Sequence, residues 1–164
     1  MWLLVKHQLE NARALATLDK GRPRQASLRR AVSTAYYAVF QSLCETCASK
    51  LIGWEKPWES FTPIFRALDH NRASQVLLNS SFATNQELQR LGYLFKDLQA
   101  AREWADYNPE PRPNFDEARN ASPFTRAETL TLIDSAEDAV QILDRLDDDT
   151  RLRLVTRLVT KSRK

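Results

Sequence analysis

The sequence predicts an all-α protein, and two stretches together with the breakers between them predict it. Ser27 to Leu43, SLRRAVSTAYYAVFQSL, contains neither Gly nor Pro and sets the small residues Ala31, Ala35 and Ala38 among Tyr36, Tyr37, Val39 and Phe40 at helical spacing. Leu91, Leu94, Phe95, Leu98, Ala101 and Ala105 fall on one arc when each residue is advanced by about 100°. Short clusters such as Lys20-Gly21-Arg22-Pro23 and Asn79-Ser80-Ser81 separate the periodic runs.

In chain order, Trp2 to Leu18 carries Leu4, Leu9, Ala12, Leu15 and Ala16 at helical spacing, and the Gly-Pro cluster after it stops the helix. Gln25 to Ile52 is a long central helix buried almost all round, ended by Gly53. Its alanines let other backbones come close, while Tyr36 and Tyr37 require polar partners for their hydroxyls. Trp54 to Pro57 makes a corner. Trp58, Phe61, Ile64, Phe65 and Leu68 then predict a short helix with Pro63 near its start. Asp69 to Ser81 fits a helix or an irregular connector equally well.

Thr84 or Asn85 caps the next helix, with Glu87 completing a capping box if Thr84 is the cap. Tyr107-Asn108-Pro109 closes that helix, because the residue before a proline is disfavoured in the helical region. Pro109, Pro111 and Pro113 predict an extended, stiff connection, with Phe115 as an anchor. Ser122-Pro123 starts another helix, striped by Leu130, Ile133, Ala136, Val140, Leu143 and Leu146. A final helix, Arg151 to Lys161, sets Leu152, Leu154, Val155, Leu158 and Val159 against Arg153, Arg157 and Lys161, with Asp147 to Asp149 favouring its positive amino end. Residues 1–146 are expected to form a bundle, and 147–164 a basic amphipathic helix packed on it or extending from it.

A chain of 164 residues, 43% hydrophobic and 27% charged, is long enough for one core without disulfides or metals. No apolar run approaches the length that spans a bilayer, and WLLV is too short for a signal-peptide core, so a cytoplasmic protein is expected. Charge is uneven: 107–149 holds eleven acidic and four basic residues, whereas 150–164 holds six basic and no acidic ones. That pattern argues against a uniformly cationic nucleic-acid surface and leaves local phosphate-binding patches at the basic ends. Cys44 and Cys47 stand at C-x-x-C spacing, but within a helix, with no strand before them and only the isolated His7 and His70 as further ligands. They read as reduced packing cysteines, and no metal or cofactor is expected.

Arg102 falls inside the apolar arc of its helix. One reading has it snorkel outward and pair with Asp106 one turn on. The other has it point into a cleft as an anion ligand, with Tyr107 or Asn108 positioning the anion.

LRRAVSTAYYAVFQSL followed by R-x-x-A-D-Y-N-P resembles the HEPN superfamily, the small all-helical domains of prokaryotic toxin and defence systems, over about residues 1 to 145. The resemblance implies an antiparallel, up-and-down bundle of four-helix type, with extra short helices and the carboxyl-terminal helix, that forms a homodimer. In active members it implies a metal-independent ribonuclease site in the dimer cleft, built from an arginine and a histidine four to six residues later. Arg102 matches that arginine. Tyr107, Asn108 and Pro109 occupy the positions for the histidine, and Glu103 stands where a small polar residue is common.

Tyrosine titrates near 10 and asparagine not at all, so neither is a good base for a ribose hydroxyl at neutral pH. The expectation is therefore a homodimeric module that binds RNA, a nucleotide or a protein without catalysis. Its candidate binding residues are Arg102, Asp106, Tyr36, Tyr37, Arg29 and Arg30. The resemblance suggests a nucleotidyltransferase or another defence component as partner. The alternative is an endoribonuclease toxin using Arg102 with Tyr107 and Asn108. His70 could supply a base from a neighbouring helix, although nothing in the sequence directs it there.

Overall fold

The computed structural model describes residues 2–108, 112–114, 117–122 and 124–160. The order is α1 (Leu3–Ala16), α2 (Gln25–Leu51), a 3-10 turn (Trp58–Ser60), α3 (Thr62–Ala67), α4 (His70–Leu77), a second 3-10 turn (Ser80–Phe82) and α5 (Gln86–Tyr107). A two-stranded ribbon follows, β1 (Arg112–Asn114) with β2 (Glu117–Ser122), then α6 (Arg126–Arg145) and α7 (Asp148–Val159). The fold is an all-α bundle, and none of its described helices is long and apolar enough to cross a membrane.

Helix α2 is the axis, as its composition requires. Ala31, Ala35 and Ala38 are fully buried, and α2 packs against α1, α3, α5, α6 and α7. Polar cross-links fix the helix directions. Tyr37 meets Arg102 and Arg29 meets the end of α5, so α2 and α5 are antiparallel. Glu87 with Arg145, and Arg90 with Asp138, make α5 antiparallel to α6. Arg13 bridges Asp134 and Glu137 while Arg126, at the start of α6, donates to the Ala16 carbonyl at the end of α1, making α6 antiparallel to α1. The result is an up-and-down arrangement of α1, α2, α5 and α6. The amide of Gln25 exchanges two hydrogen bonds with the backbone of Phe124, pinning the starts of α2 and α6 together.

Local chemistry sets the boundaries. Gly53, at φ +83°, takes the left-handed turn that ends α2. Gly92 serves a close approach instead. A Cβ there would lie 2.9 Å from the Leu77 carbonyl oxygen, so its absence lets the end of α4 come up against α5. Asp69 caps α4, resolving 69–81 as a helix followed by a 3-10 turn. Asn85, not Thr84, caps α5 by accepting from Leu88 N–H, and Glu87 pairs with Arg145 instead of closing a box.

The largest boundary difference is at α6. Ser122 belongs to β2, and the helix begins after Thr125, which forms a capping box with Glu128. That reciprocal cap satisfies two backbone donors, whereas a proline start satisfies none. The expected stiff connection is a short antiparallel ribbon with an irregular register after Pro113, which has no N–H for the ladder. Pro109, Pro111, Phe115, Pro123 and Lys161 lie outside the described residues. Helix α7 starts earlier than its apolar pattern suggested, because Asp147 caps it and Asp148 and Asp149 form its first turn. Leu154, Val155 and Leu158 join the bundle core, whereas Leu152, expected on the same arc, is exposed. The helix packs on α2 and α4, and Arg72 donates to the carbonyls of Arg157 and Leu158 at its far end.

Candidate functional site

Arg102 is carried by the last turns of α5, between the buried Ala101 and Ala105, where the apolar face of the helix meets Tyr36 and Tyr37 of α2. Its side chain is 12% exposed. A guanidinium held there must have its donors satisfied, and its surroundings supply partners. Nη2 donates to the Tyr37 hydroxyl at 2.5 Å and to the Tyr107 hydroxyl at 3.1 Å. Nε lies 2.9 Å from Asp106 Oδ2, but off the direction of N–H donation, so this contact is an ion pair more than a directed hydrogen bond. The guanidinium carbon stands 5.7, 5.2 and 5.0 Å from the ring centres of Tyr36, Tyr37 and Tyr107, within cation–π range. Burial lowers the Arg102 pKa, but the Tyr37 hydroxyl, Tyr107 and Asp106 outweigh it, and the net shift is upward.

The second layer contains the residue that sequence reasoning could not place. Tyr36 is fully buried, and its hydroxyl lies 2.7 Å from Nδ1 of His70, in the first turn of α4. The His70 ring lies 3.9 Å, centre to centre, from Phe40 and stands edge-on to Tyr37. Burial, and then the Arg102 charge, push the His70 pKa below its ordinary value, while Asp69 opposes them. The imidazole is therefore neutral at pH 7. Burial likewise raises the Tyr36 phenol, which stays protonated, against the pull of Arg102. A signal for His70 was present: once Asp69 caps α4, residues 70, 73 and 77 share the face that Ala73 and Leu77 bury.

Of the expected site residues, the structure brings together Arg102, Asp106, Tyr36, Tyr37 and Tyr107. Arg29 has a structural role, donating through Nη2 to the backbone carbonyls of Trp104 (2.9 Å) and Asn108, and so holding the carboxyl end of α5 against α2. Asn108 enters through that carbonyl as the residue that ends α5. Arg30 is exposed on the neighbouring face of α2. Beside the cluster, Glu103, Trp104, Tyr107 and Asn108 line an open depression of about 230 Å³, and Tyr107, 70% exposed, separates it from Arg102. Among the described residues, the Arg29 and Arg102 guanidiniums share this part of the molecule with the carboxylates of Asp106, Glu103 and Asp69, so both signs are present beside the cluster.

A larger groove, of about 460 Å³, lies elsewhere, between α1 and α6. Its charged lining is largely paired internally, Lys6 with Glu10 and Arg13 with Glu137, and it shares no residue with the Arg102 cluster. Size alone would favour it, but convergent polar chemistry is at Arg102. Cys44 and Cys47 are buried free thiols, each pushed up to about 12 by burial, which keeps them unreactive. Among the described residues no three metal-capable side chains gather.

The chemistry available is that of an enclosed, internally neutralised cation with a neutral imidazole behind one tyrosine. No family model, curated protein or solved structure matches this chain.

Proposed function

We propose that this chain is a HEPN-like homodimeric module of a prokaryotic toxin-antitoxin or defence-type system that binds RNA, a nucleotide or a protein through the Arg102 edge without cleaving what it binds. The observation that carries the reading is the state of Arg102. A guanidinium already engaged by Asp106, Tyr37 and Tyr107 is poorly placed to stabilise a developing phosphorane charge, because those contacts would first have to break. The mixture of carboxylates with cations around it favours a protein surface over a polyanion among the three ligand classes. A nucleotidyltransferase or another defence component is the partner that the resemblance suggests.

The test is incubation of purified protein with total RNA beside an Arg102→Ala control. Intact RNA in both samples is the expected outcome. Cleavage by the wild type that the substitution abolishes would overturn the reading.

One observation favours the alternative, a metal-independent endoribonuclease toxin: the His70 imidazole shares Tyr36 and Tyr37 with Arg102. An active enzyme of that kind would lose cleavage on His70→Gln as completely as on Arg102→Ala.

A further inference from the structure

We infer that the outer face of α7, centred on Arg153 and Arg157, is a docking surface for the phosphodiester backbone of a nucleic acid. The inference goes beyond the reading above, because it concerns another helix and stands whether or not the Arg102 edge binds anything.

Residues 150–160 hold Arg151, Arg153 and Arg157 and no acidic side chain. Arg151 is spent on the fold, its Nη2 donating to the Asp144 carbonyl at 3.0 Å near the end of α6. At the other end of α7, Arg72 of α4 donates to the carbonyls of Arg157 at 3.0 Å and Leu158 at 3.2 Å. These contacts hold α7 at both ends, and the second offsets the partial negative charge that a helix carries at its carboxyl terminus. Arg153 and Arg157 are left exposed one turn apart, about 6 Å along the axis. The Arg157 guanidinium lies 5.7 Å from the Phe82 ring centre, and neither side chain makes an ion pair or a hydrogen bond among the described residues. Thr156 and Thr160, exposed beside them, turn their hydroxyls back on the Leu152 and Thr156 carbonyls. Acidic groups gather at the opposite end, where Asp147 caps the helix, Asp148 meets Lys50 and Asp149 stands one turn before Arg153. From Arg153 onward the sequence adds only cations, Arg157 and then Lys161, Arg163 and Lys164.

Burial selects the occupant. Leu154, Val155 and Leu158 are in the bundle core, so α7 has no apolar face left to insert into a bilayer, which is what anchors a basic amphipathic helix there. A protein partner needs an apolar centre within its contact, and the outer face of α7 offers Leu152 alone. What remains is a row of forked cations on a fixed helix, the footprint of phosphate contacts. Contacts of that kind position a strand without reading its sequence.

Fluorescence anisotropy of the full chain with a labelled oligouridylate of about 20 nucleotides, at salt from about 50 to about 200 mM, tests it. Arg153→Gln with Arg157→Gln removes both charges, and Arg153→Lys with Arg157→Lys keeps them. The wild type is expected to bind, more weakly as salt rises. The glutamine pair should bind at least about fivefold more weakly and lower the slope of log affinity against log salt by about 1.4, the share of two phosphate contacts. The lysine pair should stay within about threefold of the wild type, with helical circular dichroism unchanged throughout. An oligothymidylate that binds equally assigns the surface to either nucleic acid, and one that does not bind assigns it to RNA. No wild-type binding at the lowest salt overturns the inference, as does a glutamine pair that binds like the wild type or a lysine pair that binds no better than the glutamine pair. Capture by phosphatidylserine vesicles that outlasts RNA binding as salt rises overturns it too. Loss of RNA binding on Arg102→Ala, with the glutamine pair unaffected, overturns the inference and supports the Arg102 edge. RNA cleavage that Arg102→Ala abolishes, in a protein whose RNA binding does fall in the glutamine pair, overturns the functional reading alone.

Discussion

At the amino-terminal half of α2, Tyr36 and Tyr37 enclose Arg102, and that guanidinium is held by polar groups of its own chain: Asp106, Tyr37 and Tyr107. Beyond the other end of α2, past Gly53, Trp54 and Trp58 leave half of their surface in water above Phe61, Phe65 and Trp2. The first region encloses a charge and satisfies it internally. The second exposes apolar surface and leaves it uncovered. A side chain that looks functional in sequence, an arginine in an apolar stripe, can thus be locally complete, while tryptophans at a corner and before a short helix stay half in water.

The contrast is sharpest if one aromatic is removed at each end. Phe95 is fully buried and packs 5.5 Å from Tyr36, ring centre to ring centre, so Phe95→Ala should lose about 3–5 kcal/mol of stability in a chemical denaturation curve. Trp58→Ser, at the exposed end, should lose well under that, about 1 kcal/mol or less in the monomer. Equal losses would mean that the aromatic end is a second core and not an open face.

Within the enclosed end, Arg102→Ala should cost roughly 1–3 kcal/mol, because Tyr37 and Asp106 are left partly buried without their shared donor. Tyr36→Phe removes only the hydroxyl on His70 and should cost about 1 kcal/mol. If both changes are silent in thermal melts, the cluster is not the closed unit described.

The smallest effect concerns pH. The folded pKa of His70 lies below its ordinary value of 6.5, so between those two values the unfolded chain binds more protons than the folded one. The contribution of the neutral imidazole is therefore fully present above about pH 6.5 and is lost as pH falls from there through the folded pKa. His70→Gln should flatten the stability profile between about pH 7.5 and about pH 5, measured by urea titration at each pH. An unchanged profile would mean that His70 titrates as a solvent-exposed side chain.

Much of this was legible from residue spacing. The central helix, its end at Gly53 and the helix carrying Arg102 follow from the apolar periodicity and its breakers, because burial and helix termination are local decisions. Short polar segments were harder to read. Thr125 out-competes Ser122-Pro123 as a helix start, and Asn85 out-competes Thr84, since the choice depends on which side chain reaches a free N–H in three dimensions. At the candidate site, the pairing of Arg102 with Asp106 was one of two readings, because i,i+4 spacing permits it but does not show whether a cleft competes. Arg29 and His70 were illegible in role, since each acts through a helix distant in sequence, Arg29 on the end of α5 and His70 on Tyr36.

A double-mutant cycle between Arg102→Ala and Asp106→Ala, read by equilibrium denaturation, tests most directly whether Arg102 is held by its own chain. A guanidinium paired with Asp106 in the folded chain should give a coupling energy of about 1 kcal/mol. Effects that add within about 0.3 kcal/mol would contradict this, leaving Arg102 held by the Tyr37 and Tyr107 hydroxyls and its charge free of Asp106.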